Sequence, residues 1–203
     1  MSASSWKKVV MCLFPKEPSA KSMAKFRGSA LISALSEWYM GTLLLAIKRY
    51  PMPRVYKKVG IAGYERNINI EVVTAAIQNL LRHGDEWADI QKVLVLQADV
   101  KKAFDNLHPK YIAKALERRG IPADLIASFL DESSNLQCAP EFEDLDIPKC
   151  KFTKAIRQGG LESPYGWNEV MRDILAVLQL RWREEGLGID LGDGGKKRLT
   201  HSV

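Results

Sequence analysis

The segment VLVLQADVKKAFDNLHP, residues 93 to 109, constrains the fold of this chain more than any other. A short apolar run that ends in an acid reads as a buried strand over 93–98, which other elements must cover. Helices are read on both sides of it, so the chain reads as a mixed α and β domain, here α+β. Asp99 falls at the tip of that strand. A carboxylate fixed there, over apolar residues that exclude water, suits a divalent cation; an Asp at a strand end also serves to cap the turn or helix that follows.

The flanking sequence places the other elements. WKKVVMCLFP (6–15) reads as a strand and KEPSAKSMAKFRG (16–28) as a polar, basic loop. SALISALSEWYMGTLLLAIKRY (29–50) repeats its apolar residues at three and four, which predicts a helix closed by the prolines of PMPR. INIEVVTAAIQNLLRHG (68–84) puts Ile70, Val73, Ile77, Leu80 and Leu81 on one helical face ahead of Gly84. Two more helices are expected from about Pro109 to Arg119 and from about Pro122 to Glu132, each opened by proline, the first closed by Gly120. Residues 139–160 look like an acidic edge hairpin. Its acids Glu141, Glu143, Asp144 and Asp146 lack the spacing of a calcium loop and read as a solvated edge that discourages strand pairing. SPYGWNEVMRDILAVLQLRWREEG (163–186) predicts a long helix with Ser163 as N-cap, Pro164 at its first position and Gly186 past its end. A hairpin turned at GDGG closes the chain over 187–203. No repeat or linker divides the sequence, which reads as one domain with room for two lobes.

At 203 residues, 46% apolar and 27% charged, the chain is able to bury a sizeable core. No apolar run approaches the roughly 18 residues of a membrane span. The N-terminal lysines precede a short apolar stretch without a small-residue cleavage site, so the segment reads as a strand and not a signal peptide. Cys12, Cys138 and Cys150 are odd in number and widely spaced, and His83, His108 and His201 are scattered, which suggests neither a disulfide framework nor a zinc site. A reducing intracellular compartment, nuclear or cytoplasmic, is expected. Of the net charge of +6, residues 1–60 hold eleven Lys or Arg against two acids, +9, so the rest of the chain is net acidic. Such a basic end suits a phosphate-rich partner, or is a solvated face.

The segment ADVKKAFD and the later AIRQGGLESPYGWNEVM (155–171) belong together. In their order and spacing they resemble the reverse transcriptases, in particular those of non-LTR retrotransposons, and the resemblance runs from Trp6 to Val203. It implies that Asp99, with the carbonyl of Val100, holds magnesium (or manganese), and that Phe104 lies under the sugar, where it would clash with a 2′-hydroxyl. Asp105 follows the ring in many members, and reads otherwise as a helix-capping or salt-bridging acid. Gln158 would lie against the nucleotide, Gly159 would let backbone approach it, and Ser163 and Pro164 would launch the supporting helix. LFPKEPSAKSMAKFRGSALIS looks like the fingers hairpin, with Lys16 and Arg27 as triphosphate-binding cations. Here Glu17 separates Lys16 from Pro18, and Gly28-Ser29 stands where the family shows Pro-Ile. Tyr64 takes the place of a family aromatic, or is a simple packed ring.

The fold that the resemblance implies is a right-hand polymerase. Residues 1–60 would be the mainly basic fingers region, and 61–203 the palm with part of the fingers inserted, an antiparallel sheet backed by helices. The implied reaction is RNA-directed DNA synthesis with RNA template, DNA primer and dNTP as partners, and no membrane. The Asp-Asp hairpin and the thumb of such enzymes do not occur in the sequence, so an incomplete palm and an inactive isolated chain are expected. Two other readings stay open: a polymerase of the group II intron maturase type, and a non-catalytic remnant that binds nucleic acid or a protein partner through its basic lobe.

Overall fold

The β-branched pair Val9 and Val10 and the aromatic Phe14 favour extended backbone, and Lys8–Pro15 forms strand β1 after a single 3-10 turn at Ser4–Lys7. The computed structural model describes residues 4–19, 21–22, 25–57, 59–65, 68–86, 95–134, 136–140, 150–151, 159–190 and 198–199. Strand β2 (Phe26–Leu31) is followed by helices α1 (Ala34–Lys48), α2 (Arg54–Lys57), α3 (Ile70–Glu86), α4 (Ala103–Asn106), α5 (Pro109–Arg119) and α6 (Ala123–Ser133). Strands β3 (Gln137–Pro140) and β4 (Cys150–Lys151), helix α7 (Glu162–Glu184) and the short strands β5 (Ile189–Asp190) and β6 (Arg198–Leu199) complete the order. The chain is thus mixed α and β, and no helix among the described residues is long and apolar enough to cross a membrane.

Local chemistry accounts for the ends of α5 and the start of α3. Pro109 opens α5, where its missing N–H costs no bond, His108 Nδ1 accepts from the Lys110 N–H at 3.1 Å, and Gly120 leaves the helix at φ 86. Asn69 Oδ1 accepts from the Val72 N–H at 3.0 Å and caps α3. Helix α7 starts at Glu162, two residues before the expected first position at Pro164, so Ser163 is a buried residue of its first turn and not its N-cap.

Three sequence expectations are corrected. Strand β2 occupies the end of the expected loop and the start of the expected helix, because pairing with β1 (Val10 opposite Leu31, Phe14 opposite Arg27) supplies backbone partners that local periodicity does not reveal. The expected strand at 93–98 is not formed over its described part: residues 95–100 have no regular structure, and Val95 and Leu96 are 59% and 93% exposed. None of the described strands pairs with this run, and an apolar segment with neither ladder nor cover does not hold a strand. The principal sheet, ordered β2-β1-β3-β4, is mixed rather than antiparallel, since β1 and β3 run parallel across a long helical crossover. Strands β5 and β6 form the expected closing hairpin, with its turn outside the described residues, as are the acids of 141–149. In β3 and β4 the backbone register sets Cys138 directly opposite Cys150.

The chain divides into two compact units. One comprises Met1–Pro51 and Lys102–Val170. In it α1 and α5 both pack on α6, burying Met40, Leu43, Leu44 and Ile47 with Ile112, Leu116 and Phe129, while Val9, Ala30 and Leu136 form a smaller cluster at the sheet. Phe129 is fully buried. Phe129→Ala is expected to lower stability by about 3–5 kcal/mol through lost transfer energy and a residual cavity, read as a shifted urea midpoint. The other unit comprises Met52–Lys101 and Met171–Val203, with a core of Tyr56, Val59, Ile61, Leu175 and Ala176. There the Tyr56 hydroxyl donates to Asp173 Oδ1 at 3.0 Å. On α3, Val73 and Leu80 are half-buried, whereas Ile70, Ile77 and Leu81 of the same face are exposed.

Candidate functional site

The first unit carries most of the expected site. Its β1–β2 hairpin is closed by Lys16 N–H donating to the Lys25 carbonyl at 2.8 Å, and Arg27 faces Phe14 across the ladder, so Lys16 and Arg27 both stand near the exposed tip. Glu17 forms an ion pair with Lys25 and so takes up one of the tip's positive charges. Lys7 is likewise committed: its ammonium group, 15% exposed, donates to the carbonyls of Asp131 and Ser134, where it neutralises the C-terminal end of α6. The basic N-terminal segment is therefore partly structural, and Arg27 is the exposed guanidinium on β2.

The turn that leads into α7 lies against this strand. Gly159 has φ 119, and a Cβ there would stand 2.8 Å from the Ala30 carbonyl oxygen and 3.4 Å from Ser29 Oγ. Only glycine permits that backbone and that approach. The close contact is to β2, a few residues from Arg27, so the hairpin and the RQGGLESP segment meet. Gln158 lies outside the described residues.

Phe104 sits on α4, where Lys102 at φ 53 turns the chain into the helix. Its half-buried ring is 6.1 Å from that of Trp167 on α7 and packs on the main core. Three further α7 residues fix this arrangement. Gly166 lets α7 close on Ile112, whose Cδ1 would be 3.0 Å from an added Cβ. Tyr165 stacks at 6.3 Å on Phe129 and accepts from Arg119 Nη1. Glu169 Oε1 pairs with Arg119 Nη1 at 2.8 Å, with both side chains buried, and Arg119 Nη2 reaches the Tyr50 carbonyl at 3.4 Å. Sequence reading assigned no role to Arg119, Trp167 or Glu169; Arg119 in particular looks like an ordinary cation of a last helical turn.

Asp99 and Val100 belong to the second unit and are exposed on the irregular run 95–100. Nothing is described of the Asp105 side chain. Among the described residues no three of His, Cys, Asp or Glu gather as a metal cluster. Two magnesium ions need several oxygen ligands held together, so the described residues do not by themselves fit such a pair.

Two comparisons bear on what these residues do. Residues 52–197 match the family described as reverse transcriptase (RNA-dependent DNA polymerase). The match takes in Asp99, Phe104, Gln158 and Gly159, while Lys16 and Arg27 precede it. The chain is also similar to a retrovirus-related Pol polyprotein from type-1 retrotransposable element R2 of Popillia japonica, at 24% identity over 196 residues. The similarity covers 93% of this chain and 25% of that protein, so the chain spans about a quarter of the relative's length.

Proposed function

The chain belongs to the reverse transcriptase (RNA-dependent DNA polymerase) family, and on that premise we propose that it carries nucleotide- and strand-binding surfaces of a non-LTR retrotransposon polymerase. The family reaction is attack of a primer 3′-hydroxyl on a deoxynucleoside triphosphate, directed by RNA. In this reading 1–60 is the mainly basic fingers region and 61–203 the palm with inserted fingers. The single observation that supports it best is the packing of Phe104 on Trp167, three residues past Pro164. One residue of each motif that carries the resemblance, Phe104 of the first and Trp167 of the second, thereby packs in the first unit.

The proposed roles follow from chemistry. Phe104 is a bulky wall set against a 2′-hydroxyl, and α7 keeps it from yielding. Arg27 offers a planar fork to phosphate oxygens, and Lys16 a second cation at the same hairpin tip. Gln158 is placed by sequence next to Gly159, where its amide hydrogen-bonds the incoming nucleotide. Asp99 and the Val100 carbonyl would be what their segment offers a divalent ion, magnesium or manganese, which needs further oxygen ligands than these two. The partners in this reading are RNA template, DNA primer and dNTP, in a nuclear or cytoplasmic setting.

Binding to an RNA–DNA hybrid across a salt series tests the reading. Phosphate contacts release counterions, so the affinity should fall steeply as salt rises. Arg27→Glu should weaken binding and flatten the slope by about one unit or more, with no change in sequence preference. An affinity that does not respond to salt would assign the basic segment to a solvated face and remove the strand-binding role.

A further inference from the structure

Tyr64 has the backbone conformation that an aromatic residue adopts least readily. Its φ is 58, in the left-handed region, although Gly63 beside it would enter that region at little cost. The ring gains little from packing in return, since Tyr64 is 71% exposed. The turn around it is closed by two long backbone hydrogen bonds and tied to α7. Glu65 N–H donates to the Ala62 carbonyl at 3.3 Å, Ile68 N–H donates to the Glu65 carbonyl at 3.4 Å, and Ile61 just before the turn is buried. The Glu65 carboxylate pairs with Arg172 on α7, and the neighbouring Asp173 accepts from Tyr56 of α2. Consecutive residues of α7 thus anchor both this turn and α2, a helix that carries the exposed cations Arg54 and Lys57 a few residues before the ring in sequence. In sequence, residues 54–66 hold Arg54, Lys57, Lys58 and Arg66 against one acid, Glu65, and that acid is neutralised by Arg172.

We infer that Tyr64 is a stacking platform for an unpaired base of a nucleic acid strand whose phosphates are drawn by Arg54 and Lys57. The inference rests on the strand-binding part of the proposed function and extends it to a named surface. A turn that exposes an aromatic ring at a backbone cost, in a segment rich in cations and with its one acid paired off, fits single-stranded nucleic acid, where stacking provides affinity without sequence preference.

The test uses the 203-residue chain with Tyr64→Gly and Tyr64→Trp, a labelled oligouridylate and a labelled oligothymidylate, with thermal unfolding measured alongside. Glycine relieves the left-handed strain while it removes the ring. The expected result is an unfolding midpoint that is unchanged or raised, together with affinity for both oligomers lowered roughly 5- to 150-fold, the range that loss of one base–aromatic stack spans. Tyr64→Trp should retain the wild-type affinity. Unchanged affinity in Tyr64→Gly overturns the inference and leaves the proposed function standing. A lowered midpoint overturns it as well, because the ring would then serve packing. A loss confined to the oligouridylate overturns stacking in favour of a 2′-hydroxyl contact. If the wild-type chain binds neither oligomer, the strand-binding reading fails and the inference with it.

Discussion

Arg119→Met is expected to destabilise the first unit by about 3–5 kcal/mol, a large share of a domain's total stability. The side chains of Arg119 and Glu169 are only 4% and 3% exposed, so the substitution strands a buried carboxylate in a place that water cannot reach. It also takes the donor from the Tyr165 hydroxyl and from the Tyr50 carbonyl. The paired change Arg119→Met with Glu169→Leu should recover most of the loss, because burying two ions costs about as much as their attraction returns. Urea unfolding of the two singles and the double separates these terms in one cycle. If Arg119→Met is no less stable than wild type, the buried pair is not formed. Tyr165 and Glu169 lie on the same helix as Trp167, so a weakened pair should also loosen the ring on which Phe104 rests.

Phe104→Val should admit ribonucleotides in an active polymerase that carries these residues, with the ratio of ribonucleotide to deoxynucleotide incorporation rising by roughly 10–200-fold, the worth of one steric contact in a pocket. The argument is mechanical. A wall discriminates against one added hydroxyl only if it does not move, and Phe104 is backed by Trp167 and by a helix that closes tightly on Ile112 at Gly166. Phe104→Tyr keeps the ring and should keep the selectivity. Single-nucleotide incorporation with each sugar is the measurement, with far-UV circular dichroism to show that the variants fold. An unchanged ratio in a folded Phe104→Val protein would remove the residue from the nucleotide pocket.

The parts of the structure that were legible beforehand are those written in neighbouring residues. Pro109 and Gly120 delimit α5 at the positions expected, and the start of the long α7 is displaced by two residues. The spacing of ADVKKAFD and RQGGLESP pointed to the family on its own, since a motif is a statement about order along the chain. The motifs named candidate site residues but carried no geometry for them. That Gly159 approaches the Ala30 carbonyl, or that Phe104 leans on Trp167, follows from no local pattern.

By itself the sequence determined the existence of the long helices, the bounds of α5, the mixed class, the closing hairpin and the family, because proline, glycine and apolar periodicity act on the backbone within a few residues. Only the tertiary structure decided the remainder. It turned the end of a basic loop into β2 and left the apolar run at 95–100 exposed, because a strand exists only where a partner supplies its hydrogen bonds. It put Cys138 opposite Cys150. It buried Arg119, which resembles any surface cation until residues fifty positions away close over it. Pairing and burial are relations between distant segments, and the free energy that selects them is absent until the chain has folded back on itself.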